Sequence, residues 1–109
     1  MKYRFQVQGS AADPYEIEIE RVGDNLRASC TCPAGNMGQY CKHRFNLFKG
    51  STSDVVGGDV ESISTLPDLV KGTDVERAMI GVKEAEREVA IAKKQLSAAK
   101  KAVAEAMRT

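Results

Sequence analysis

The chain has 109 residues and a mass of 11.8 kDa, enough for one small domain and an appendage. Sixteen Lys and Arg against 15 Asp and Glu give a net charge of +1, which excludes a strongly basic protein that coats nucleic acid but allows a local basic patch. No apolar run exceeds four residues, so no membrane-spanning helix and no membrane partner are expected. The charged start, residues 1–6, lacks the apolar segment of a signal peptide, and we expect an intracellular, cytoplasmic protein.

Alternating apolar and polar residues predict strands at the start of the chain. Residues 2–8 alternate in this way, and residues 15–20 place two isoleucines and a tyrosine on one face and three glutamates on the other. Antiparallel pairing of the two segments sets basic residues of the first across from glutamates of the second. A turn at residues 23–25 leads into a third strand over 26–30. We therefore expect a small antiparallel sheet whose glutamate face is a solvated surface.

All three cysteines and the only histidine fall within 14 residues, as Cys30, Cys32, Cys41 and His43. Three thiols and one imidazole are a ligand set of tetrahedral structural zinc. A Cys-x-Cys pair at a strand end points both sulfurs to one face. The eight-residue spacer contains Pro, Gly and Asn, which favour chain reversal, and Cys-x-His then returns the second pair at a helix start. The pattern predicts one structural Zn²⁺ per chain.

Three other interpretations of the cysteines stay open. A Cys30–Cys32 disulfide closes a very short loop and leaves Cys41 unpaired. A Cys41/His43 nucleophile and base is crowded by two other thiols and has no further histidine to assist it. Free thiols are the third. With zinc bound, protein groups fill all four positions and none remains to activate water, so we expect no enzyme activity and no catalytic residue.

A short helix is expected directly after the metal ligands. Residues 42–49 place His43 with Leu47 and Phe45 with Phe48 on inward positions, and Gly50 ends the helix. The core formed with the strands is marginal for about 50 residues. Zinc binding, worth on the order of 10 kcal/mol in small fingers, should therefore be needed for this half to fold.

Basic residues near the metal ligands suggest a second interpretation, contact with nucleic-acid phosphates. The candidate residues are Arg27, Lys42, Arg44 and Lys49. A structural explanation competes, because a zinc ion with three thiolates carries a net negative charge that neighbouring cations offset. Both explanations stay open.

The segment Cys30-Thr31-Cys32-Pro33 … Cys41-Lys42-His43, preceded by strands and followed by a short helix, resembles the SWIM-type zinc finger. The resemblance covers roughly residues 14–50. It implies zinc at the two Cys-x-Cys positions and the Cys-x-His pair. It also implies an interaction role with DNA or protein, because such modules accompany transposases, chromatin-type ATPases and ubiquitin ligases. Those larger activities do not carry over, since no such domain is attached here.

The composition changes after residue 50. Residues 51–72 contain Ser, Thr and a Gly57-Gly58 pair, which predict a linker. Its apolar residues 63, 66, 69 and 70 predict one helical turn that docks elsewhere and ends at Gly72.

Thr73-Asp74-Val75-Glu76 is a capping box, and no proline follows it, so residues 74–108 should form one helix of about 50 Å. Apolar residues recur in an a/d heptad pattern over five repeats, typical of a coiled coil. The a positions are Val75, Val82, Val89, Leu96 and Val103, and the d positions are Ala78, Ala85, Ala92, Ala99 and Ala106.

This stripe requires a partner helix, and the charge pattern favours an antiparallel second copy. Residues 73–88 hold five acids and three bases, whereas residues 89–109 hold one acid and five bases. Antiparallel pairing sets the acidic half of one helix beside the basic half of the other, although the helix macrodipole favours the same order. Docking on an unrelated protein is the alternative, and a membrane-surface role is disfavoured by the alanine-rich face.

We therefore expect an α+β protein: a small antiparallel sheet with a zinc site and a short helix, then a long coiled-coil-like helix. The predicted divisions are a zinc module at 1–50, a linker at 51–72 and an oligomerising helix at 73–109. Two function hypotheses follow. In the first, a non-enzymatic zinc module self-associates and binds a protein partner; in the second, the paired modules contact DNA.

Overall fold

The computed structural model describes residues 2–108. The predicted outer limits of the module and the helix, residues 1 and 109, lie outside this range. The chain divides into two compact units, Met1–Glu76 and Arg77–Thr109. The first contains a four-stranded sheet and several short helices, and the second consists of the long helix after its first turn.

The sheet consists of β1 (Lys2–Val7), β2 (Tyr15–Val22), β3 (Asn25–Cys30) and β4 (Val55–Gly58) in the order β3-β2-β1-β4. All neighbouring strands are antiparallel. The helices are α1 (Pro33–Asn36), α2 (Lys42–Phe48), a 3-10 helix (Val60–Thr65), α3 (Leu66–Val70) and α4 (Asp74–Ala106). The α+β class is therefore confirmed.

The predicted match of charges on the open face of the sheet is also confirmed. Arg4 lies opposite Glu18 in the register of β1 and β2, and its Nε is 2.9 Å from the Glu18 carboxylate. The Lys2 Nζ lies 3.6 Å from the same carboxylate. These side chains are substantially exposed, so they add little to stability but help to fix the register.

The other face of the sheet forms the core. The predicted core residues Phe5, Ile17, Ile19, Leu26, Leu47 and Phe48 are buried, while Tyr3, Tyr15 and Phe45 are half-buried. Val7 completes the β1 contribution. Alternation along the strands places these residues on one face, and α2 covers it with Leu47 and Phe48.

Residues 51–72, predicted as a linker, add regular structure to the first unit. β4 pairs with β1, and the Asp59 carboxylate and amide both bond to the backbone of Arg4, at 2.8 Å each. Gly58 has φ +92°, and a Cβ there would collide with the Arg4 carbonyl, so glycine is required at this close approach. The predicted docking turn is α3, where Leu66 and Val70 are buried.

The start of α4 is fixed by side-chain hydrogen bonds. The buried Thr73 hydroxyl donates to the Val70 carbonyl at 2.6 Å and accepts from the Glu76 amide at 3.3 Å. The Glu76 carboxylate accepts from the Gly72 amide at 3.1 Å. The predicted capping box is thus present with its glutamate reaching one residue further back.

Candidate metal centre

The four metal-ligand candidates come from three consecutive elements. Cys30 is the last residue of β3, Cys32 caps the N-terminus of α1, Cys41 caps that of α2, and His43 lies in the first turn of α2. The three cysteines are buried and the histidine is half-buried. The strand end and the two helix starts therefore bring both ligand pairs to one place, as the spacing predicted.

The geometry of the four donors fits a tetrahedral ion. All four ligand atoms lie within 4.8 Å of one another. The Cys32 and Cys41 sulfurs are 3.4 Å apart, and the His43 Nδ1 lies 3.4 Å from the Cys41 sulfur and 4.0 Å from that of Cys30. A zinc–sulfur bond of about 2.3 Å places two tetrahedral sulfurs about 3.8 Å apart. The Cys₃His cluster is therefore compatible with one structural Zn²⁺.

Backbone amides point at the thiols. The Gly35 amide donates to the Cys32 sulfur at 3.2 Å. The amides of Cys32 and Arg44 similarly stabilise the thiolates of Cys30 and Cys41. Such N–H donors delocalise thiolate charge and orient the ligands. A Cβ at Gly35 would collide with the Cys30 carbonyl, so this tight turn requires glycine, which the sequence pattern of turn residues alone did not single out.

The thiols differ in how readily they ionise. Burial raises the pKa of Cys30 to about 12. Burial also opposes ionisation of Cys41, but hydrogen bonds from the Arg44 amide, Cys32 and His43 outweigh it and lower the pKa to about 6. A buried cluster of this kind holds several thiolates only when a cation neutralises them, as expected for a metal centre.

The His43 ring is held in place from the side away from the sulfurs. Its ring packs against Tyr15 with centroids 5.2 Å apart, and Gly9 lies beside its Nε2. Nδ1 faces the sulfurs, so this nitrogen is the one that would hold a zinc ion. A side chain at Gly9 would collide with the Tyr15 ring, so the β1–β2 connection contributes to the orientation of the ligand.

Arg44, a candidate for nucleic-acid contact, has a structural position. Its guanidinium donates to the Ala28 carbonyl at 2.9 Å and to the Gln39 carbonyl at 2.6 Å. It therefore ties the loop between the two ligand pairs to β3. The sequence places this charge near the metal ligands, but the hydrogen bonds of the guanidinium within the module depend on the fold.

The other three candidates for nucleic-acid contact lie on different surfaces. Arg27 lies on the open face of the sheet, opposite Glu20. Lys42 is the first residue of α2 and Lys49 follows its last; both are exposed, and the Lys49 ammonium lies 4.4 Å from the centre of the Phe45 ring. The fold thus places Lys42 between the ligands Cys41 and His43 in sequence, Lys49 at the opposite end of α2, and Arg27 among acidic neighbours.

The predicted association face lies on α4, a helix of 33 residues in which none is buried. Val89, Leu96 and Val103 are 53%, 57% and 58% exposed, Val75 and Val82 are half-buried, and the five alanines are exposed. The heptad stripe thus contains no buried residue, and its side chains from Val89 onwards are exposed to solvent.

Among residues 2–108, no helix is long and apolar enough to cross a membrane.

Comparison with known protein families agrees with this geometry. The family model described as SWIM zinc finger matches residues 5–44, which include all four metal-ligand candidates. Neither the curated proteins nor the solved structures give a match. Residues 5–44 therefore match the SWIM zinc finger in sequence, and the same segment brings Cys30, Cys32, Cys41 and His43 together as one potential metal site.

Proposed function

We propose that this chain is a non-enzymatic, zinc-stabilised interaction protein that self-associates through α4 and presents its SWIM finger to a protein partner. The observation that carries the proposal is the combination of a complete Cys₃His cluster with a long helix whose Val/Leu stripe contains no buried residue. The first supports a structural metal, and the second supports association.

The donor set favours a structural role for the metal. Three thiolates and one imidazole complete a tetrahedron, so no position is left for a water or a substrate. Each cysteine is deeply buried, which further separates the ion from solvent. Zinc here supplies folding free energy and not Lewis-acid chemistry.

The charge distribution along α4 favours a second copy as the partner of the stripe. The first half, residues 73–88, carries net −2, and the second half, residues 89–109, carries net +4. Antiparallel pairing juxtaposes opposite charges, whereas parallel pairing places halves of like charge together. Two copies then carry two zinc fingers, and a partner with two binding sites gains avidity.

Native mass spectrometry on protein purified without a histidine tag tests this proposal, because it reports bound metal and subunit number together. We expect one zinc per chain in an even-numbered oligomer. A monomer that holds zinc would contradict self-association and assign the stripe to another protein. A metal-free chain would contradict the structural role of zinc.

DNA binding is the alternative, and one observation favours it. Residues 31–53 contain Lys42, Arg44 and Lys49 but no acidic residue, so the surface near the metal is locally positive. Because Arg44 is hydrogen-bonded within the module, the phosphate contacts fall to Lys42 and Lys49.

The DNA alternative predicts a salt-dependent mobility shift of a DNA fragment. The double substitution Lys42→Ala/Lys49→Ala should abolish the shift, whereas Lys93→Ala/Lys94→Ala, with the same loss of charge on α4, should retain it. No shift with zinc-loaded, folded protein at low salt would contradict DNA binding. An equal loss in both variants would assign the effect to overall charge instead of the finger.

A further inference from the structure

We infer that two copies of α4 pair in one antiparallel register, in which residue i of one helix faces residue 181 − i of the other. The inference rests on the self-association proposed above and specifies how the second copy lies. Three properties of the helix carry it: the match of large with small residues, the position of its charged flanking residues, and its overlap over the full length.

In this register every large residue of the stripe faces an alanine. Antiparallel coiled coils set a positions against d positions, and five layers form without a gap. The facing pairs are Val75 with Ala106, Val82 with Ala99, Val89 with Ala92, Leu96 with Ala85, and Val103 with Ala78. Each layer therefore has nearly the same volume, and the two helices can stay at a constant, short distance.

No other pairing uses the stripe as fully. A shift by one heptad in either direction leaves a large residue of each helix without a facing alanine. A parallel pair in register alternates layers of two large residues with layers of two alanines, so the helices must either separate or leave small voids. Both alternatives lose apolar burial from a stripe whose Val89, Leu96 and Val103 are exposed on the single chain.

Charged residues beside the stripe match the same register. Glu86 and Lys93 both occupy e positions, which face each other across an antiparallel seam. In this register Glu86 of each copy lies about 3 Å along the axis from Lys93 of the other, which forms two symmetric ion pairs. Glu88 instead faces Gln95. In a parallel pair Glu88, and not Glu86, faces Lys93, so the two arrangements couple different residues.

Charge-reversal variants separate these arrangements. Glu86→Lys and Lys93→Glu should each weaken dimerisation at low salt about tenfold, because two attractive pairs become repulsive. The double variant Glu86→Lys/Lys93→Glu should recover to within about threefold of the original affinity. Glu88→Lys is the control with the same charge change, and we expect it to stay within about twofold.

Sedimentation equilibrium measures the dissociation constant of each variant, and far-UV circular dichroism verifies that helicity is unchanged. Weaker dimerisation of Glu88→Lys, with the affinity of Glu86→Lys unchanged, would show parallel pairing. It would overturn the register while self-association stands. A dimer whose affinity responds to none of these charges would also overturn the register. A monomeric original chain would overturn the proposed self-association and the register with it.

Distances between spin labels provide an independent measure. Labels carried by an unnatural amino acid at Lys94 or Lys101, both on the outer face of α4, leave the three cysteines free for zinc. The register predicts axial separations between the two copies of about 10 Å at position 94 and about 32 Å at position 101. Equal distances at both positions would indicate parallel pairing. Axial separations of about 0 and 21 Å, or of about 21 and 42 Å, would indicate an antiparallel register shifted by one heptad.

This register also determines the distance between the starts of the two helices. The first residues of the two helices, at Asp74, lie about 50 Å apart along the axis. Each zinc finger precedes its own helix along the chain, so the two chains enter the pair at opposite ends.

Discussion

Cys41→Ser is expected to remove zinc and unfold the first unit while leaving most of the helical signal of α4. Cys41 is a buried ligand, and its sulfur lies 3.4 Å from both the Cys32 sulfur and the His43 Nδ1. Zinc binding contributes on the order of 10 kcal/mol in small fingers, which is comparable with the whole stability of a typical domain. The small core cannot compensate for this loss.

Three measurements check this expectation. Elemental analysis gives the zinc content, two-dimensional NMR reports the dispersed amide signals of the sheet, and far-UV circular dichroism reports the remaining helix. Met37→Ser is a matched control, because this residue lies in the same loop, is 73% exposed and holds no metal. A Cys41→Ser protein that retains its sheet signals and unfolds cooperatively would contradict the structural role of zinc.

Leu96→Asp is expected to convert the proposed oligomer into a monomer. Leu96 is the only leucine of the stripe and is 57% exposed on the single chain, so burial of its side chain in the seam depends on a partner. A carboxylate at this position, present twice in a dimer, costs several kcal/mol when buried without a cation. Dimers with micromolar affinity would then dissociate at ordinary working concentrations.

Light scattering coupled to size exclusion measures the mass of each variant. Ser97→Asp is the control, since it adds the same charge one residue further along but lies off the stripe, on an outer position of the heptad. We expect the control to keep the mass of the original chain. An unchanged mass for Leu96→Asp would exclude the stripe as the association face.

Local patterns in the sequence were sufficient to predict the metal ligands and the main strands. In each ligand pair the two residues are separated by one other residue, and extended backbone brings side chains at this spacing to one side; Cys32 and Cys41 both have extended backbone dihedrals. The alternation in β1 and β2 likewise predicts both the buried face and the cross-strand pairs, which Arg4 and Glu18 confirm. All three cysteines and the only histidine lie within 14 residues, which leaves few other arrangements of these four donors.

The remainder of the first unit was decided by contacts between distant residues. β4 is a short strand with two glycines. It forms because its backbone pairs with β1 and because the neighbouring Asp59 accepts a hydrogen bond from the amide of Arg4, 55 residues earlier in the chain. Ile63, Leu66 and Val70 are buried, although their spacing suggested only a turn within a linker. Short apolar segments carry little periodicity, so their structure depends on the surface against which they pack.

The roles of individual polar residues follow the same division. By itself, the sequence determined that this protein has a Cys₃His centre, an α+β front and a long heptad helix, because these depend on spacing along one strand or one helix. Only the tertiary structure decided that Arg44 holds the ligand loop to β3 and that Thr73 is buried at the start of α4. Such roles depend on which backbone carbonyls and amides fold next to a side chain, and spacing along the chain does not encode that.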